Sequence, residues 1–278
     1  MENNLFQLHN DLKDKNYRHG RYTPFYVADP KLRHIHKASV RDRVLHQAVF
    51  RILYPMFDKN FIFDSYSCRI DKGTHRAVDR LETFGRRLSQ NDDRNILALK
   101  CDVRKFFDSV DQDILLNLIS KKVKDEDVIW LVGKIIKSFP QGLPLGNVTS
   151  QLFANIYLNE FDQFVKHELK EKYYIRYCDD FEDAGHLSEL SEKINDFLSR
   201  ELNLSLHPDK IIIRKYSQGI DFLGYAVRPH YRVLRTRTKR RLLRRVNEKN
   251  MPSYLGVLKH CKGFKISKKL LLSVNTKC

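Results

Sequence analysis

The sequence predicts an α+β fold, and three observations predict it. Residues 95–101 form an apolar strand, Asn95-Ile96-Leu97-Ala98-Leu99-Lys100-Cys101, that ends on Asp102. Tyr173-Tyr174-Ile175-Arg176 is rich in strand formers and runs into Tyr177-Cys178-Asp179-Asp180, the pattern of a tight hairpin turn with two carboxylates at its tip. Segments of helical spacing stand between and after these strands.

Residues 1–30 carry Tyr17, Tyr22, Phe25 and Tyr26 without a clear period. Lys31-Leu32-Arg33-His34-Ile35 reads as a strand with basic residues on one face. Ser39 caps a helix in which Val44, Ala48, Ile52 and Leu53 keep helical spacing. Ser65 to Asp71, then Gly73-Thr74, form a loop that enters a second helix, Thr74 to Leu88, with a break at Asn91-Asp92-Asp93. A further helix starts near Asp111, where the acids suit a helix start. Gly142 to Gly146 is turn-like, and a helix follows from about Asn147 to about Leu169. Val148, Leu152, Ile156 and Phe164 mark its core stripe, and its polar first turn, Thr149-Ser150-Gln151, is expected to face a ligand. Beyond Asp180, Phe181-Glu182-Asp183-Ala184-Gly185 is a poor strand. A helix runs from Ser188 to about Leu202, and short strands and turns fill 204–227. Arg228 to Lys249, with Leu234, Leu242, Leu243 and Val246, reads as a basic amphipathic helix, and 252–278 is a further apolar and basic mixture.

Composition narrows the function. The 278 residues, 42% of them hydrophobic, leave room for two or three subdomains around a sizeable core. No run of about 18 apolar residues is present, so no membrane partner is expected. Met1-Glu2-Asn3-Asn4 lacks the basic and apolar regions of a signal peptide. The five scattered cysteines suit a reducing compartment and make no zinc motif; a cytoplasmic location is expected. His34-Ile35-His36 reads as ordinary histidines. The net charge of +17 is uneven: residues 208–278 hold 19 Lys and Arg against three acids, whereas 1–207 hold 32 against 31. A basic end on a neutral body, with apolar residues interleaved, is the footprint of a polyanion-binding surface.

Taken alone, Tyr-x-Asp-Asp is equally a solvated turn. Two carboxylate-bearing strand ends with a ligand-facing helix between them are more specific. A charge at the end of a buried strand is costly unless paired or bound to metal, and carboxylates bridging two cations are the set that phosphoryl transfer uses.

With those residues in place, the sequence resembles the reverse transcriptases, over nearly its whole length and in their order of motifs. Asp102-Val103-Arg104-Lys105-Phe106-Phe107-Asp108-Ser109-Val110 resembles the first catalytic motif and Tyr177-Cys178-Asp179-Asp180 the second. Phe222-Leu223-Gly224-Tyr225 resembles the primer grip, and Leu204 to Lys210 the segment whose lysine approaches the triphosphate. Lys31 to Gln47 and Ser65-Tyr66-Ser67-Cys68-Arg69 to His75 resemble fingers motifs. In Pro144-Leu145-Gly146-Asn147-Val148-Thr149-Ser150-Gln151, Leu145 and Gln151 stand where intron and retron enzymes usually have glutamine and proline. This is similar to the reverse transcriptases of diversity-generating retroelements, which copy a template RNA with errors at adenines. Pro140-Gln141-Gly142 lies four residues too far from Ser150 to be the same motif. Glu182-Asp183-Ala184-Gly185 departs from the apolar strand the family carries after Tyr-x-Asp-Asp.

The resemblance implies a right-hand polymerase: fingers over 1–95, palm over 96–228 and a short basic thumb over 229–278. Asp102, Asp179 and Asp180 would be catalytic and, with the Val103 carbonyl, would hold two magnesium ions, with manganese as the alternative. Arg33, Arg69, Lys105, Phe106, Phe107, Leu145, Gly146, Ser150, Gln151 and Lys210 would line the nucleotide site. Phe107 would be the sugar gate, although pattern alone fits Phe106 or Phe107 as a core ring. Lys210 would be the acid for the leaving pyrophosphate. Phe222, Leu223 and Gly224 would form the primer grip, and Arg235, Arg237, Lys239, Arg240, Arg241, Arg244 and Arg245 would bind nucleic acid. Implied partners are a template RNA, a primer or cDNA strand, deoxynucleoside triphosphates and a small basic accessory protein, in a bacterium or phage. The alternatives are another bacterial reverse transcriptase, defence-associated or intron-derived, and a catalytically silent RNA-binding relative.

Overall fold

A computed structural model describes residues 2–28, 31–91, 93–178, 180–183 and 187–275. The chain opens with α1 (Glu2–Lys13), β1 (Thr23–Ala28), β2 (Leu32–Lys37), α2 (Val40–Asp58), α3 (Thr74–Leu88) and β3 (Leu97–Asp102). Then come α4 (Phe106–Ser109), α5 (Gln112–Ser120), α6 (Glu126–Ile136) and α7 (Val148–Gln163), whose end widens into a π turn over Phe164–Glu168. β4 (Ile175–Tyr177), β5 (Asp180–Asp183) and α8 (Leu187–Leu202) follow, with a 3-10 turn at Pro208–Lys210. The chain ends with β6 (Ile212–Lys215), β7 (Ile220–Phe222), β8 (Tyr225–Arg228), β9 (Tyr231–Leu234), α9 (Thr236–Arg245), α10 (Met251–Lys259) and α11 (Phe264–Asn275).

Local chemistry explains most boundaries. Ser39 accepts from the Asp42 amide at the start of α2, and Asp111 and Asp125 accept from the first amides of α5 and α6. The Asp125 cap is the sequence signal for α6, an element that periodicity did not reveal. The β4–β5 hairpin is tight, as expected, with Tyr177 opposite Asp180 and Cys178 in the left-handed region at φ 58°, but Asp180 is the first residue of β5 and not part of the tip. Asp179, Asp92 and Ala184-Gly185 lie outside the described residues.

Two expectations are corrected and one, the helix of Val44 and Ile52, gains its buried face. Val44 and Ile52 face solvent, 44% and 60% exposed; the buried face of α2 is Leu45, His46, Val49, Leu53, Tyr54 and Phe57. Two adjacent stripes share one period, and packing against α7 decides which turns inward. The poor strand after Asp180 is a strand: β5 lies between β4 and β3, so ladders on both sides support its acidic residues. The basic helix begins at Thr236, because Tyr231–Leu234 pair with β8 through a Pro229-His230 turn.

The chain divides into two compact units. The first, residues 1–63, 103–170 and 191–207, contains the β1–β2 hairpin and a helical core in which α7 packs on α2 and α5. The second, residues 64–102, 171–190 and 208–278, contains the antiparallel sheet β4-β5-β3-β6 and the meander β7-β8-β9. Its core joins Ala77, Val78 and Phe84 of α3 to Phe222, Tyr225 and Val227 of the meander and to Leu242 of α9.

Candidate active site

In the second unit, pairing register brings the carboxylate-bearing strand ends together. Asp102 at the end of β3 is directly opposite Asp180 at the start of β5, and Asp180 is opposite Tyr177 of β4. Like charges facing each other across a ladder are destabilising unless a cation offsets them. Lys210 supplies one: its Nζ donates to Asp102 Oδ2 at 2.8 Å, and both side chains are partly exposed. The 3-10 turn at Pro208–Lys210, just ahead of β6, carries that ammonium to the end of β3.

The hairpin edge is braced by a residue that sequence reasoning missed. Arg176 is fully buried, and its guanidinium donates to the Cys178 carbonyl and to Ser65 Oγ, each at 3.0 Å. Its amide donates to the Asp64 carbonyl and its carbonyl accepts from the Tyr66 amide, so residues 64–66 lie along β4 as a parallel edge. Arg69 is directed into the same segment, donating to the Ser65 carbonyl at 3.0 Å. A charged residue inside a strand of aromatic and apolar neighbours was the signal.

The residues expected to form a primer grip make up the β7–β8 hairpin. Leu223 and Gly224 both have positive φ, 48° and 90°, the geometry of a type I′ turn. Leucine there is strained, while Phe222 is buried and anchors the turn. The Gly224 carbonyl accepts from the Arg235 amide and so ties the turn to the start of α9. On α9, Arg237, Lys239, Arg240, Arg244 and Arg245 are exposed, Leu242 is buried and Arg241 is half-buried, as is Arg235 just ahead of the helix.

The first unit holds the other expected nucleotide-site residues. The His36 amide donates to the Leu145 carbonyl at 2.9 Å, which lays Leu145-Gly146 beside β2. Gly146 has φ 114°, and a Cβ there would meet Ile35 Cγ2 at 2.8 Å, so only glycine fits. Arg33, two residues from Ile35 on β2, shares that strand face. Phe106 is buried and Phe107 half-exposed, which separates the two rings: Phe106 is core. The Leu143 amide donates to the Phe107 carbonyl, and a Cβ on Gly142 would meet that oxygen at 2.1 Å. Gly142 is therefore a close-packing residue. Val103 is buried and bridges Leu206, while Lys105 is exposed at φ 45°.

The polar first turn of α7 is not open to a ligand as expected. Thr149 and Ser150 are buried, and only Gln151 is exposed. The Thr149 hydroxyl meets His46 Nδ1 at 2.8 Å, and His46 Nε2 meets His19 Nε2 at 3.0 Å. His19 Nδ1 faces the Gly20 carbonyl at 2.7 Å and must donate there. With both rings neutral, His46 Nε2–H then donates to His19, and Thr149 donates to His46. Burial pushes the His46 imidazole down from 6.5 to about 4, helped by His19 beside it. Asp42, buried nearby, accepts from Tyr17, Ser39 and the Gly20 amide; burial raises its carboxyl, but these bonds outweigh it and lower the pKa.

Carboxylate oxygens and a backbone carbonyl suit a hard divalent cation. Asp102 and Asp180, held opposite each other, fit that chemistry. Among the described residues no cluster of three or more His, Cys, Asp or Glu is poised for a metal. No helix among them is long and apolar enough to cross a membrane.

Comparison with known proteins agrees with this geometry. The chain is 26% identical to protein YkfC of Escherichia coli over 243 residues, covering 70% of this chain and 63% of that protein. It is 24% identical to the group II intron-encoded protein LtrA of Lactococcus lactis over 308 residues, covering 82% and 50%. The chain thus spans about half to two thirds of the length of these relatives. Solved structures of similar fold include apo telomerase of Candida tropicalis truncated from the C-terminal domain, TM-score 0.57 at 14% identity, covering 77% of this chain and 54% of that one. Telomerase of Candida albicans with a fragment of telomeric RNA has TM-score 0.56 at 11% identity, covering 78% and 46%. The family described as "Reverse transcriptase (RNA-dependent DNA polymerase)" matches residues 27–227, and the chain belongs to that family.

Proposed function

We propose that this chain is an RNA-directed DNA polymerase that makes error-prone cDNA from the template RNA of a diversity-generating retroelement. The observation that carries the polymerase reading is the register that sets Asp102 opposite Asp180 at the catalytic-motif ends of adjacent strands. Asp102, Asp179, Asp180 and the Val103 carbonyl would hold two magnesium ions. Bound there, divalent cations supply charge neutralisation for an attacking 3′-hydroxyl and a departing pyrophosphate. The chain's own groups do the rest. Arg33 and Arg69 offer guanidinium forks to phosphate oxygens. Lys210 holds a proton at Nζ beside Asp102, where it can pass to the leaving pyrophosphate. Phe107, half-exposed, stands as a bulky gate against a ribose 2′-hydroxyl. The Leu223-Gly224 turn and the basic face of α9 grip primer and template, within a fingers, palm and thumb division at residues 95 and 228. A cytoplasmic bacterial or phage setting and a small basic accessory protein complete the reading.

Asp102→Ala should abolish primer extension on an RNA template while leaving RNA binding nearly intact, because the basic face of α9 is untouched. Extension surviving at near wild-type rate would sink the carboxylate assignment. A wild-type chain that binds RNA and never extends a primer would be the silent relative.

The retroelement reading rests on Leu145, Gly146, Ser150 and Gln151. Leu145 lacks the amide that glutamine brings to this position, so a correct base pair gains less over a mismatch. Selectivity is a difference of transition-state energies, and losing about 1.4 kcal/mol of it costs tenfold in discrimination. Leu145→Gln should therefore raise fidelity, read by sequencing cDNA copied from an RNA containing all four bases. Wild-type errors should concentrate opposite adenines. Errors spread evenly over the four bases, or unmoved by the substitution, would favour the second reading, an intron-encoded enzyme, to which the likeness to LtrA lends weight.

A further inference from the structure

The catalytic hairpin is short. β4 has three residues, β5 has four, and β5 carries three acids among those four. Such a short ladder makes few backbone bonds, and acidic residues are poor strand formers, so it is a weak anchor for the paired positions of Asp102 and Asp180. Behind it lies a fully buried arginine. Burying an unpaired guanidinium costs several kcal/mol, so Arg176 is stable only with its donors satisfied. It donates to the Cys178 carbonyl at the turn and to Ser65 Oγ on the flanking segment. Its backbone bonds Asp64 and Tyr66 on either side of Ser65. The flanking segment is itself held: Arg80 Nε donates to Asp64 Oδ1 at 2.7 Å, Arg69 donates to the Ser65 carbonyl, and Thr74 donates to the Tyr177 hydroxyl at 3.2 Å.

We propose that Arg176 is a positioning residue for the Asp102–Asp180 pair. By donating to the Cys178 carbonyl it fixes the turn that leads into Asp180, and through Ser65 it joins that turn to the segment that carries Arg69. One buried fork therefore joins the turn that leads into β5 to the segment that carries Arg69. A shift of about 1 Å in such a pair can cost about a hundredfold in rate, which gives a small register change a large effect. The kinetic arm of this inference rests on the polymerase reading above; the metal-binding arm does not.

The test compares wild type, Arg176→Lys and Ser65→Ala. Lysine keeps the charge but cannot span both acceptors, and alanine removes only the hydroxyl acceptor. Two quantities are read on folded protein: manganese binding to the free chain by electron paramagnetic resonance, with Asp102→Ala as the site control, and kcat with KM for primer–template. Arg176→Lys should raise the manganese midpoint about tenfold and lower kcat 10- to 100-fold with KM for primer–template unchanged. Ser65→Ala should move both in the same direction by about threefold. The double variant should lose little more than Arg176→Lys alone, because the Ser65 hydroxyl acts through its bond to Arg176. Unchanged manganese affinity and kcat per folded molecule in Arg176→Lys overturns the proposal and leaves the arginine a packing role. If that variant does not fold, an unmoved midpoint and kcat in Ser65→Ala overturns it. A wild-type chain without extension activity defeats the polymerase reading, while the manganese arm still decides the role of Arg176.

Discussion

At the scale of single residues, His46 shows how a buried polar group sets a testable condition. Its imidazole is buried, accepts from Thr149, and has a folded pKa of about 4 against an ordinary 6.5. Below pH 6.5 the unfolded chain takes up a proton that the folded chain refuses. Stability is therefore whole above about pH 6.5 and falls as pH drops toward 4, by on the order of 3 kcal/mol from this group. Asp42, with its carboxyl lowered, loses its contribution further down, below its ordinary 3.8. Denaturant unfolding between pH 7 and 4 should show the upper loss, and His46→Gln, which can still accept and donate, should flatten it. An identical slope in both proteins would put the titration elsewhere. Asp102 and the Tyr-x-Asp-Asp turn were legible in the sequence because a charge ending an apolar run stands out. His46 was not, and Arg176 showed only as a charge inside an apolar strand, because their roles lie in partners far along the chain, Thr149 for one and Ser65 for the other.

At the scale of elements, α9 carries the sharpest consequence. The sequence marked 228–249 as one basic helix, but β9 claims its start and α9 presents Arg237, Arg240, Arg244 and Arg245 outward. If those groups meet backbone phosphates, log affinity for RNA falls linearly with log salt, and each phosphate that goes unneutralised makes the slope shallower by about one. Replacing all four by glutamine should flatten the slope accordingly; an unchanged slope would place the charge off the nucleic-acid path. Thr74 to Leu88 and the capped start of α2 were read at their true bounds because caps and periodicity are local. The inward face of α2 was not, because Val44 and Leu45 lie on neighbouring stripes and only α7 distinguishes them. β5 was missed for a related reason: its residues are poor strand formers, and its neighbours β4 and β3 hold it in place.

At the scale of the whole molecule, the excess charge lies in residues 208–278, all of them in the second compact unit together with β3 and β5. The basic end and the carboxylate pair thus belong to one folded unit, although more than a hundred positions separate Asp102 from the first of those residues. The chain passes between the two units five times, so neither unit is a continuous segment that could be cut out. By itself the sequence determined the family, the strand-end aspartates, the order of most elements and the uneven distribution of charge, because each is written in local pattern, spacing or composition. Only the tertiary structure decided that Asp102 faces Asp180 and is paired by Lys210, that Arg176 braces the turn, and that Thr149 is buried against His46. Strand register, ion pairing and burial are relations between distant residues, and no local window of sequence contains both partners.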